Sequence, residues 1–202
     1  MTSNQRGFTL IELLLAMTFI SFMLLFSTNT VIQVTRLSTK GSAIRQINQT
    51  GRQVLEDLSS VARYAPPVFV ASKNRLCVGG TSYLWNAEGQ AVNAYTLPDS
   101  GTPIRLISRQ DASGSLCSPP FNPVSKSGSK DLVGSEVTVM QFSVTQSANG
   151  SLLDVVLVLS TAGSNRALPD PTTPTGFACD PGNQFCAFGD FETTIYSRTR
   201  GN

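Results

Sequence analysis

Few residues in this 202-residue chain have the types and spacing that chemistry needs. The first is Glu12, a carboxylate at the start of an uncharged run; after it no charged side chain occurs until Arg36. A carboxylate in apolar surroundings costs several kcal/mol unless it is paired, and such a residue is functional by default. No lysine or arginine lies at helical spacing inside the run. The expected partner is therefore a neighbouring molecule or a newly made amino terminus. Cys77, Cys117, Cys179 and Cys186 form a second set. Their even number supports disulfides in an oxidising compartment. Three pairings are open. Cys77–Cys117 with Cys179–Cys186 is favoured, the latter closing the short, turn-rich loop CDPGNQFC. There is no C-x-x-C and no histidine, so zinc spacing and dithiol redox chemistry both fail. Asp180, Asp190 and Glu192 lie near one another in sequence and read as solvated acids rather than a metal site.

The absence of histidine also removes the Ser-His-Asp and Cys-His constellations and the commonest general base. No G-x-G-x-x-G, P-loop or G-x-S-x-G is present. No cofactor is implied, and the expectation is a protein that is not an enzyme. Lys and Arg number 15 against 13 Asp and Glu, a net charge of +2 that favours neither nucleic acid nor acidic substrates.

Residues 13–35, LLLAMTFISFMLLFSTNTVIQVT, are uncharged. A bilayer core needs about 20 predominantly apolar residues in a helix, so length and missing charge fit a membrane span. The run exceeds a secretory h-region and ends in no A-x-A cleavage site.

Asn4-Gln5-Arg6-Gly7-Phe8-Thr9-Leu10-Ile11-Glu12 resembles the prepilin signature of type IV pilins and type II secretion pseudopilins. The resemblance implies cleavage by a prepilin peptidase between Gly7 and Phe8, N-methylation of Phe8, and an assembly role for Glu12. It implies a leader over 1–7 and a transmembrane or filament-core helix over 8–35, inserted with its N-terminus in the cytosol. Arg6 lies inside and Arg36, Lys40 and Arg45 outside, so the signature, not the positive-inside rule, sets this orientation.

The elements that must position these residues follow from periodicity. Ile44, Ile47, Gly51, Val54, Leu58 and Val61 recur at three- and four-residue spacing, with Arg45, Gln49, Arg52, Glu56 and Arg63 elsewhere. The pattern predicts an amphipathic continuation over 36–65, one long helix from Phe8 to about Tyr64, ended by Ala65-Pro66-Pro67. Ser27 to Thr30, Gly41 and Gly51 are weak helix formers, and the helix could loosen near 27–30 or 41. Residues 66–202 read as a β-rich head outside the membrane. Short strands are expected at 68–70, 76–78, 82–85 and 103–108, loop at 111–135, and a hairpin from Val137–Thr145 and Leu152–Ser160 around the turn 148–151. Loop is expected again at 161–190, and a last strand at 191–197. The fold class is α+β, a long N-terminal helix packed on an antiparallel sheet, as the pilin resemblance also implies.

The same layout resembles W-type minor pilins and their J-type pseudopilin relatives. The implied role is a structural and assembly subunit of a type IV pilus. Its partners would be other pilin subunits, the prepilin peptidase and a membrane assembly platform, and it would pass from the cytoplasmic membrane to a cell-surface pilus. The alternatives are a type II secretion-like pseudopilin, or an adhesive or DNA-uptake pilin binding through the loops at 111–135 or 161–190. Lys126, Lys130, Arg198 and Arg200 are the cations that could contact phosphate, by bonds that salt would screen. Loss of Arg6 with the leader lowers the net charge to about +1, which makes nucleic acid the weaker reading.

Overall fold

The computed structural model describes residues 9–64, 70–72, 74–85, 106–120, 128–146, 152–183 and 185–196. The chain is α+β. A single helix, α1 (Leu10–Tyr64), carries a head of antiparallel sheets at its C-terminal end. At 1.5 Å per residue its 55 residues span about 80 Å. Every residue from Leu10 to Ser42 is exposed, and only the upper part of the helix packs on the head.

Strands β1 (Val70–Ser72), β2 (Arg75–Val78), β3 (Thr81–Trp85), β4 (Leu106–Gln110) and β5 (Lys130–Asp131) form one sheet in that order. Gly79 and Gly80 both take positive φ between β2 and β3, as a tight two-residue hairpin turn requires. Strands β6 (Val137–Gln146), β7 (Leu152–Thr161) and β10 (Phe188–Tyr196) form a second sheet, ordered β10-β7-β6. A short ribbon, β8 (Leu168–Pro169) with β9 (Phe177–Ala178), lies within the proline-rich stretch. The expected single sheet is therefore two sheets and a ribbon. The expected loops at 111–135 and 161–190 contain β5, β8 and β9, each two residues long and too short to show a period.

The core forms where α1 meets both sheets. The buried helix positions are Ile47, Gly51, Val54, Leu58 and Ala62. The stripe thus ends on Ala62, with Val61 only half-buried, and Ile44 stays 41% exposed because the head begins above it. Leu153, Val155, Leu157 and Leu159 of β7 alternate into this core. Val158 and Ser160 point the other way and are also buried, and Ser160 Oγ accepts the Ala167 N–H of the segment after β7. Being covered on both sides explains the nearly continuous apolar run of β7. In β6 the inward residues are Val137 and Val139, then Phe142 and Val144. That change of parity is absorbed by a bulge between Val139 and Gln141, which keeps one face apolar.

Four contacts bind the layers. Trp85 meets Phe142 edge-on, ring centres 4.7 Å apart, joining the sheets. The buried Tyr83 hydroxyl donates to Asp57 Oδ2 of α1 at 3.1 Å, and Lys130 Nζ reaches Asp57 Oδ1 at 3.1 Å. The Phe191 ring of β10 lies over Gly51: a Cβ there would stand 2.4 Å from Cζ.

Two effects oppose each other at Gly51. Alanine improves helix propensity by about 1 kcal/mol, whereas overpacking a filled core costs about 1–3 kcal/mol. Phe191 has little room to yield, because it also lies against Gly189 and close to the helix. Gly51→Ala is expected to lower stability by about 1 kcal/mol in denaturant titration of the detergent-solubilised chain. Adding Phe191→Leu should make the pair of changes less than additive; strict additivity would mean that the ring and the helix do not share this space.

Candidate functional site

The chemistry expected of Glu12 starts at the first turn of α1. Thr9 precedes the helix and Glu12 is its third residue. The Thr9 N–H donates to Glu12 Oε2 at 3.1 Å, its hydroxyl donates to the same oxygen at 3.0 Å, and the Glu12 N–H returns a bond to Thr9 Oγ1 at 3.4 Å. This is a capping box. Glu12 therefore has neutral hydrogen-bond partners within its own chain, which the sequence reading did not include beside the cation expected from outside. The signal was in the sequence: threonine, two residues, glutamate, then an apolar run. Gly7 and Phe8 lie outside the described residues.

Above Glu12 the helix is long and apolar enough to cross a membrane, and the large side chains from Leu10 to Leu37 are exposed. Five of its six hydroxyls between Glu12 and Arg36 are satisfied internally. Thr18, Ser21, Thr28, Thr30 and Thr35 each donate to a carbonyl three or four residues back, at 2.7–3.1 Å. Backbone and hydroxyl groups so paired can enter hydrocarbon without leaving polar groups unmet.

The head contains the two disulfides Cys77–Cys117 and Cys179–Cys186. On a chain-entropy basis the 40-residue separation of the first stabilises by about 4 kcal/mol and the 7-residue separation of the second by about 2.5. Asp111 organises the loop that brings Cys117 to Cys77. Its carboxylate accepts the Leu116 N–H at 2.9 Å, the Ser115 N–H at 3.2 Å and the hydroxyls of Ser82, Ser113 and Ser115. Arg75 Nη1 donates to the Leu116 carbonyl at 2.6 Å. The loop thereby covers Leu84 and Ile107 on the outer face of the five-stranded sheet. Burial pushes the Asp111 carboxyl up, but these donated bonds outweigh it and hold it at about 2.

In the Cys179–Cys186 loop, Asp180 Oδ1 accepts the Gly182 N–H at 2.8 Å, and Asn183 donates to the Ser164 carbonyl at 3.0 Å. Asp190 and Glu192 stand exposed on β10, apart from that loop turn. Among the described residues no group of three or more His, Cys, Asp or Glu is placed to hold a metal ion. Of the cations considered for phosphate, Lys130 is engaged with Asp57; Lys126, Arg198 and Arg200 lie outside the described residues.

Residues 2–28 match the family model of the prokaryotic N-terminal methylation motif. No curated protein and no solved structure matches the chain. The motif supports a type IV pilin-like protein, the long apolar helix against antiparallel sheets is a pilin-like fold, and the motif points to a structural protein rather than an enzyme.

Asp111 gives the head a defined acid response. Its folded pKa lies below the ordinary value of 3.8, so its contribution is complete above about pH 4 and is lost as pH falls towards 2. The shift corresponds to about 2 kcal/mol. Asp111→Asn should therefore be less stable than the parent by about that amount at pH 7, followed by the fluorescence of Trp85, the one tryptophan in the chain. The difference should close near pH 2; a difference that persists there would assign the loss to packing rather than charge.

Proposed function

We propose that this chain is a structural subunit of a type IV pilus, a minor pilin. The methylation motif running directly into an uncovered apolar helix carries the reading. In this account Met1–Gly7 is a leader, the prepilin peptidase cuts between Gly7 and Phe8, and Phe8 is N-methylated. Residues 8–35 anchor the chain in the cytoplasmic membrane with the N-terminus inside, then pack in the filament core. Residues 36–65 carry the head, 66–202, on the outside, where the two disulfides brace its loops. The helix moves from lipid to the company of other pilin helices, two environments that both cover apolar surface. Cleavage leaves a cationic amine beside Thr9. Glu12 neutralises such an amine on an adjacent subunit, exchanging its Thr9 bonds for a charge pair. A buried charge left without its partner is strongly unfavourable, so the pair fixes axial register.

Mass analysis of N-terminal peptides from membranes and from sheared filaments tests this. The expected peptide begins at Phe8, is heavier by one methyl group, and occurs in both fractions, sparsely in filaments. Glu12→Gln should leave the protein in the membrane while depleting it from filaments. A peptide that retains Met1–Gly7, with none in the filament fraction, would overturn the reading.

A further inference from the structure

One face of α1 continues below the head and changes character. The buried positions Ile47, Gly51, Val54, Leu58 and Ala62 mark the side that meets the sheets. Continuing down the helix at three- and four-residue steps, the same side carries Lys40, Arg36, Gln33 and Asn29. All four are exposed. Where the head begins to overhang, a notch of about 260 Å³ opens between Thr39, Ala43 and Gln46 of α1 and Glu136, Ala162 and Phe185 of the head.

We infer that Asn29 and Gln33, with Arg36 and Lys40 above them, form a polar contact face for the apolar helix of a neighbouring pilin-like subunit. The inference rests on the pilin reading above and names residues within it. Three observations favour a helix as the occupant. First, the face continues the interface that α1 already makes with its own head. Second, the hydroxyls of Ser21, Thr28, Thr30 and Thr35 bond back to their own helix, whereas the Asn29 and Gln33 amides have no hydrogen-bond partner among the described residues. Each amide has two donors and two acceptor sites, so even a mutual bond would leave most of them unmet. Third, depth decides when the partner is required. At 1.5 Å per residue Asn29 lies about 25 Å and Gln33 about 31 Å along the axis from Glu12. In a hydrocarbon layer of about 30 Å they sit at the far boundary, where headgroups and water serve them. In a dry filament core only another helix can, through its own polar side chains or a close-packed backbone. Arg36 and Lys40 then favour a neighbour that brings carboxylates or carbonyls to the level just above.

The test uses the full chain in cells that assemble filaments, with membrane level, processing at Phe8 and recovery in sheared filaments measured together. Asn29→Leu combined with Gln33→Leu should leave membrane level and processing unchanged and lower recovery in filaments by about tenfold. Asn29→Gln should retain most of the parent's recovery. Asn29→Cys should cross-link to a pilin-like chain in intact filaments. Recovery of the double leucine variant at the parent's level would overturn the inference and leave the pilin reading standing. So would a fall in membrane level with an unchanged filament fraction, which would assign the face to lipid headgroups. A parent chain that keeps its leader and never enters filaments would overturn both.

Discussion

A helix with an uncovered apolar surface from Leu10 to Leu37 cannot stay in water, and the rest of the molecule is arranged around that constraint. No charged side chain follows Glu12 until Arg36. Five of the six hydroxyls between them bond back to carbonyls of their own helix. Even Glu12 is tied to Thr9 rather than left bare. Each feature lowers the penalty of placing the helix in hydrocarbon, or among other helices. The head obeys the opposite rule, with Asp154, Asp190, Glu192 and Thr194 facing outward from the sheet that presses its other face on α1.

The boundary between the two regimes falls where the sheets begin, and it determines how the head is built. The helix offers the head only a stripe: Ile47, Gly51, Val54, Leu58 and Ala62. A stripe that narrow holds a sheet firmly only if the contact is close, hence glycine under the Phe191 ring. It also uses a polar fixture, Asp57, which ties the helix to Tyr83 and Lys130 of the five-stranded sheet. Burial, then the Asp57 charge and its hydrogen bond, push the Tyr83 hydroxyl upward, so it donates as a neutral group over the whole range where the protein folds. Disulfides and the Asp111 network then secure loops that border the helix but lie outside its buried stripe.

The sequence made the long elements legible because each carries many repeats of one period. The stripe on α1, its end before Pro66, and strands β6 and β7 are of this kind. Strands of two residues, such as Lys130–Asp131 and Leu168–Pro169, carry no period, and tertiary contacts alone define them. The division into two sheets was equally hidden, since it depends on which distant strands pair. The bulge in β6 was visible as apolar residues moving from Val137 and Val139 to Phe142 and Val144. It is understood once the partner strand is known. At Glu12 the residue was found but half its chemistry was missed. Thr9 lies three residues away, and its neutral donors satisfy a carboxylate at a helix start without any cation.

Apolar helices pack well in many registers, because leucine against leucine changes little when one helix slides by a turn. Specific register needs groups that are penalised when misplaced. The helix of this chain has such groups near both ends of its apolar run: Glu12 at one, Asn29 and Gln33 at the other. A slide of one turn, 5.4 Å, would displace both sets together from their partners. On the pilin reading proposed above, two separated polar stations would define an axial position that neither could define alone, while the apolar surface between them would supply attraction without direction. Because the upper station lies on the side that bears the head, it would also fix the rotation of the helix relative to such a neighbour. On that reading, a subunit seated by both stations would have its head directed before any head contact forms.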